Sequence, residues 1–222
     1  MNEYLLRKAT INDIPFLVCV VVSAEKSGSD KLSYSTLFNL PEQKAKDYIK
    51  AMFEEEIDGC EFSVNSFLIV EYNGKPVAAF GGWVETLNDD GMASKMLKSN
   101  LISFTFGKES MEFLKKKANI INELVSDREP LALQLEYLYV TDGHRGKGLS
   151  SILIAGLERE AALVFPQLKK VQVQVYSNNI NALNVYKKNG FEISKSYKAN
   201  NNEVLNLLPW NEKYIMEKKL KS

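Results

Sequence analysis

Ten residues, "TDGHRGKGLS" (Thr141 to Ser150), concentrate three glycines, an arginine, a lysine and the chain's single histidine. Apolar runs flank them, "LQLEYLYV" before and "SILIAGLEREAALVF" after. A glycine-rich, basic bend leading from a strand into a helix suits an anion. Glycine lets backbone N–H groups come close to a phosphate, and the positive end of the helix dipole favours its charge.

Three kinds of phosphate loop share such a bend. A P-loop, G-x-x-x-x-G-K-[ST], fits Gly143, Gly148 and Ser150 but has Leu149 where a lysine must reach the terminal phosphates. A dinucleotide fingerprint, G-x-G-x-x-G, finds Gly146 and Gly148 but meets Ser151, and no acidic residue closes the next strand, "KKVQVQVY". An acetyl-CoA loop, R/Q-x-x-G-x-G/A, is met by Arg145, Gly146, Lys147, Gly148 and Leu149, with the small Ser150 in the last place. Downstream, "VQVQVYSNNINALNVYKKNGFE" carries N-x-x-A-x-x-x-Y-x-x-x-G-F at Asn179, Ala182, Tyr186, Gly190 and Phe191. With both motifs in this order, the chain resembles the GNAT N-acetyltransferase superfamily. The opening "LLRKATINDIPFL" is similar to that family's first strand and helix.

The resemblance implies direct transfer of an acetyl group from acetyl-CoA to a primary amine of a small molecule or protein, in a ternary complex without a metal. An alkylammonium has a pKa of about 10.4, so a base must take its proton before attack, and an acid must meet the departing thiolate. Tyr186 falls at the family's acid position. For the base, Glu136 in "LEYLYV" is the first candidate, since an acidic residue in an apolar strand is costly to bury unless paired or functional. A period of two places it on one sheet face with Val140. Glu85 is the weaker rival, and a salt bridge is the alternative role for Glu136. Val140 matches the backbone position that pairs with pantetheine. Asn179 matches a cofactor-side contact and is equally suited to capping its helix. His144 reads as a solvated loop residue before it reads as a catalyst. The non-catalytic alternative is an acyl-CoA-binding or sensing module on the same fold, which would tolerate loss of Tyr186 and Glu136.

These groups need elements to hold them. "EYLLRKA" reads as a strand, and Thr10 or Asn12 can cap a helix in "TINDIPFLVCVVVSAEK". "SGSDKLSYSTLFNL" reads as loop, and "PEQKAKDYIKAMFEEE" as a helix with Pro41 in its first turn. "SFLIVEY" and "VAAFGGWVE" form a hairpin about Asn73-Gly74. Residues 86–130 are too long for a structureless loop and read as a helical insertion between two central strands. As an expectation, this insertion caps the acceptor channel. Then come strand "LALQLEYLYV", helix "KGLSSILIAGLEREAALVF", strand "KKVQVQVY", helix "NINALNVYKKN", strand "FEISKSYK" and a closing edge strand "EKYIMEKKL". The pattern predicts one α/β domain over 1–222, a twisted mixed sheet flanked by helices.

Bulk properties narrow the partners. Lys plus Arg and Asp plus Glu both number 28, so no basic excess calls for nucleic acid or an anionic membrane. The acidic run Glu54, Glu55, Glu56, Asp58 and Glu61 and the basic "LKKKAN" read as solvated helix faces. Cys19 and Cys60 lack metal or disulfide spacing. No apolar run approaches the roughly 20 residues of a membrane span, and the start has no secretory pattern, so a reduced, cytoplasmic protein is expected. A monomer and a homodimer are both compatible with the sequence.

Overall fold

The computed structural model describes residues 4–87 and 91–220. Glu3 of the expected first strand and residues 88–90 of the expected insertion lie outside them. The elements follow in the order β1 (Tyr4–Lys8), α1 (Ile14–Lys26), α2 (Ser33–Thr36), α3 (Glu42–Glu54), β2 (Phe67–Tyr72) and β3 (Lys75–Val84). Then come α4 (Ser94–Ile121), β4 (Leu133–Val140), α5 (Leu149–Val164), β5 (Lys170–Tyr176), α6 (Ile180–Lys188), β6 (Glu192–Lys198) and β7 (Glu212–Lys219). The helix α2 forms within the segment expected to be loop.

The strands make one mixed sheet in the order β1-β2-β3-β4-β5-β7-β6. Only the central β4–β5 pair is parallel; the others are antiparallel. Local chemistry explains the hairpin: Asn73 and Gly74 both take positive φ, 52° and 72°, as a two-residue turn between twisted strands requires. The closing strand β7 is not at the edge. It pairs on both sides, with β5 and β6, and β6 is the edge instead. The burial of Ile215 and Met216 fits an interior strand, whereas β6 is mostly exposed.

Alternation along the strands feeds two layers. Phe67 and Ile69 of β2 face Leu17 and Val21 of α1, Ile49 and Phe53 of α3, and Leu97 and Leu101 of α4. Leu68 and Val70 face the other way, toward Leu153 and Leu157 of α5 and Leu183 of α6. Each fully buried side chain of this size contributes about 1.5–3 kcal/mol relative to exposure, so the two layers fix the sheet between them. The insertion α4 is kinked at Gly107 (φ 75°) and lies on the α1–α3 side. Its distal end, with Leu124, packs on Val204, Leu207 and Leu208 of the β6–β7 connection. Among the described residues, no helix is long and apolar enough to cross a membrane.

Two irregularities at the sheet centre create the site. Ala79 faces Tyr139 and Gly81 faces Glu136, so Tyr137 and Leu138 together oppose the single residue Phe80. This bulge holds Tyr137 at φ 65° in the left-handed region, an uncommon conformation for an aromatic residue. A Cβ on Gly81 would come within 3.0 Å of the Glu136 carbonyl oxygen, so glycine is required at that approach. Parallel pairing of β4 with β5 stops at Leu135 opposite Val173. Beyond that pair the strands part, leaving Glu136 to Val140 without a strand partner on the β5 side among the described residues.

Candidate active site

The gap between β4 and β5 opens into a cavity of about 500 Å³. Its walls come from the end of α1, from α2, α4, the segment before β4, and β4, β5, α6 and β7. Glu136 and Tyr186, the expected base and acid, both line it, and so does Asn179. The insertion also lines it, through Lys98, Ser99, Ile102 and Leu114 among others.

Glu136 points into this cavity, away from Val140. The bulge adds a residue and breaks the period of two: Val140 packs with Leu133, Leu135 and Leu138 on the α5 side, while Glu136 alternates with Leu135 to the other face. The expected shared face is therefore wrong, and the reason is the bulge at Tyr137. Burial and the nearby Glu61 push the Glu136 carboxyl up to about 7, against the opposing fields of Arg128, Lys98 and Lys213. Its closest cation is Arg128, at 3.8 Å.

Tyr186 is buried, with its ring between Phe80 and Phe191 at centroid distances of 6.3 and 5.8 Å. Burial, with Glu136 nearby, raises the phenol well above its usual range, so its hydroxyl keeps its proton. Asn179 caps α6: its Oδ1 accepts from the Ala182 N–H at 3.1 Å, and its Nδ2 donates to Ser27 Oγ at 3.2 Å. The second contact ties the end of α1 to the start of α6.

The loop stands at the head of α5. Gly146 and Gly148 adopt φ of 76° and 78°, which glycine alone takes without strain. No acceptor among the described residues takes a hydrogen bond from the backbone N–H groups of Gly146, Lys147, Gly148, Leu149 or Ser150. Leu149 buries its side chain among Leu153 and Leu183, anchoring the loop while leaving its backbone outside. Arg145 turns back, donating from Nε to the Val140 carbonyl at 3.1 Å and pairing with Asp142 at 2.8 Å. Lys147 is exposed, its ammonium 5.9 Å from the Tyr4 ring. Five unpaired N–H groups at a helix start fit a pyrophosphate, and the gap beyond Leu135 fits an extended chain between strands. His144 is not a solvated loop residue: its Nδ1 hydrogen-bonds Tyr4 Oη at 2.9 Å, and its ring meets Tyr72 edge-on.

A buried ion network backs Glu136. Glu61 is 1% exposed and pairs with both Lys98 and Arg128 at 2.7 Å, which holds its carboxyl down at about 2. It is not part of the solvated run that Glu54, Glu55, Glu56 and Asp58 form. Arg128 also donates to Ser94 Oγ at 2.7 Å and lies over the Trp83 ring. Glu85, the rival base, is buried and accepts from the Ser94 N–H and hydroxyl, capping α4 and standing outside the cavity wall. Glu25, Lys98, Arg128 and Lys213 line the cavity without having been singled out in the sequence. Only Glu25 carried a signal: it falls at helical spacing after the buried Leu17 and Val21, a charge on an apolar stripe.

The family profile for the acetyltransferase (GNAT) family matches residues 34–191. The chain therefore belongs to the GNAT acetyltransferase family. Solved structures share its fold. One described as an acetyltransferase is 16% identical, with a TM-score of 0.59 over 98% of this chain and 100% of its own. The yncA structure from Salmonella typhimurium, which holds its cofactor acetyl-CoA, is 14% identical with a TM-score of 0.55, covering 100% of this chain and 96% of its own. The PaiA N-acetyltransferase from Thermoplasma acidophilum, in complex with coenzyme A, is 14% identical with a TM-score of 0.54, over 98% and 99% of the two chains. No curated protein matches the chain.

Proposed function

We propose that this chain is an N-acetyltransferase that moves the acetyl group of acetyl-CoA to a primary amine by direct attack in a ternary complex. The observation that carries the reading is that Glu136 and Tyr186, from different elements, line one cavity at the place where β4 and β5 part. The loop at the head of α5 supplies free N–H groups for the pyrophosphate, with Gly146 and Gly148 setting their direction. Val140 and its neighbours in the gap offer unpaired strand edge to the pantetheine. One lone pair of the Val140 carbonyl is already taken by Arg145.

Glu136 accepts the proton of the incoming ammonium. A carboxylate raised toward 7 is a stronger base than an exposed one and is still ionised near neutrality. Tyr186 keeps its proton in the buried site and delivers it to the leaving thiolate, whose conjugate acid resembles cysteine, near 8.5. Asn179 fixes the start of α6, which carries Tyr186.

The test is a thermal-shift comparison of acetyl-CoA, ATP and NADH at equal concentration, followed by assay of thiol release with amines. At about 100 times its dissociation constant a ligand adds roughly 2.7 kcal/mol, a rise of about 5–10 °C for a domain of this size. A rise with acetyl-CoA alone, then thiol release with an amine, is expected. A rise with ATP instead would overturn the reading. Binding of acetyl-CoA with no turnover on any amine would point to the sensing module.

A further inference from the structure

The charged groups of the cavity wall differ in whether anything neutralises them. Lys98 and Arg128 both meet Glu61 at 2.7 Å. Lys95 meets Asp127 at 3.0 Å. Glu136 stands 3.8 Å from Arg128. Two groups are left without an ion pair at contact distance among the described residues, and they have opposite signs.

The first is Glu25, half-buried near the end of α1, which makes no hydrogen bond or ion pair among the described residues. The second is Lys213 of β7, also half-buried, whose Nζ donates at 2.8 Å to the neutral Oε1 of Gln174. Among the described residues, no carboxylate lies within 4.0 Å of it. A charge drawn partly out of water without a counter-ion is unfavourable, so a ligand that supplies the counter-ion is favoured there. Burial, with Lys98 and Arg128 near, pulls the Lys213 ammonium down to about 8, against the opposing fields of Glu136 and Glu25, neither of which contacts it. Ser33, in the same wall, has a buried hydroxyl without a partner.

A diamine would satisfy Glu25 and be repelled by Lys213. A dicarboxylic acid would do the reverse. A polypeptide N-terminus brings an ammonium but no nearby carboxylate. The volume, about 500 Å³, is that of a small-molecule site, and α4 with the β6–β7 connection walls it.

Resting on the acetyltransferase reading above, we propose that the acceptor is a small zwitterion of amino-acid size, its carboxylate held by Lys213 and its ammonium drawn in by Glu25 toward Glu136. Glu25 and Lys213 are thus specificity-determining residues rather than catalytic ones.

The experiment is a thermal-shift titration of the full chain, first with acetyl-CoA alone and then, saturated with CoA, with the twenty protein amino acids, their α-amides and putrescine. At least one amino acid should bind at least tenfold more tightly than its own amide. Lys213→Gln should abolish that preference while acetyl-CoA still binds; Lys213→Arg, which keeps the charge, should retain it. Glu25→Gln should weaken acid and amide by the same factor. If wild-type protein binds acetyl-CoA but takes amides or putrescine as tightly as amino acids, or takes no amino acid, the proposal is overturned. It is equally overturned if Lys213→Gln keeps the preference. Failure of wild-type protein to bind acetyl-CoA would overturn the reading beneath it.

Discussion

In their proposed roles, Glu136 and Tyr186 make opposite uses of burial. Desolvation makes the carboxylate a better base and keeps the phenol protonated, so one cavity sets both states. As the proposed base, Glu136 must be ionised, so kcat/KM should rise with pH through about 7, and Glu136→Gln should flatten that limb. The loss in kcat should be about 10²–10⁴-fold, read from rates between about pH 5.5 and 9. Tyr186→Phe should lower kcat by about 10²-fold or more while the acetyl-CoA dissociation constant stays nearly constant, measured by steady-state kinetics beside calorimetry. The two glutamates act oppositely on stability. Glu136 holds its proton more tightly folded than unfolded, so its contribution is full below 4.5 and is lost as pH rises through 7. Glu61 ionises more readily when folded; its contribution, on the order of 3 kcal/mol, is present above 4.5 and is lost as pH falls toward 2.

Elements are joined to the site by a few polar ties. Glu61, in the α3–β2 connection, holds Lys98 of α4 and Arg128 of the segment leading into β4. Removing it leaves half-buried Lys98 without its carboxylate and buried Arg128 with only Glu136, at 3.8 Å. Glu61→Ala should therefore destabilise the fold by about 3–5 kcal/mol, lowering Tm by about 10 °C in a calorimetric scan. Glu61→Gln, which keeps some hydrogen bonds, should cost less. Asn179→Ala removes the α6 cap and the tie to Ser27, for a loss of about 1 kcal/mol in denaturant unfolding. The loop is a different case. A Cβ at Gly146 would meet open space, so Gly146→Ala acts through its φ of 76° alone. It should cost about 1–2 kcal/mol and weaken acetyl-CoA more than it weakens the amine.

Across the whole molecule, the β4–β5 seam is where sheet continuity is given up. Three residue pairs hold these strands, against seven between β5 and β7. A ligand chain lying in the gap should slow amide hydrogen exchange at residues 136–140 and 146–150. The outer strands β1 and β6 should change little, as read by exchange with and without acetyl-CoA. Uniform protection across the sheet would place the ligand elsewhere.

The sequence by itself determined the order of nearly every strand and helix, because those signals are local: periods of 2 and 3.6, a cap, an Asn-Gly turn. It also determined the loop and the family, since Arg145 to Ser150 and Asn179 to Phe191 are contiguous motifs whose spacing survives without the fold. Tertiary structure decided the rest. Glu136 and Val140 were put on opposite faces by a bulge at Tyr137 that no local residue announces, because it arises from pairing with β3. The edge position passed from β7 to β6 because pairing partners depend on chain crossing rather than on alternation. Glu61, Lys98, Arg128 and Lys213 lie far apart in the chain, in charged surroundings that read as surface. Lys98, Arg128 and Lys213 face one cavity, with Glu61 held against Lys98 and Arg128, only because the insertion folds back over the sheet, and burial then gives each charge a role that composition cannot assign.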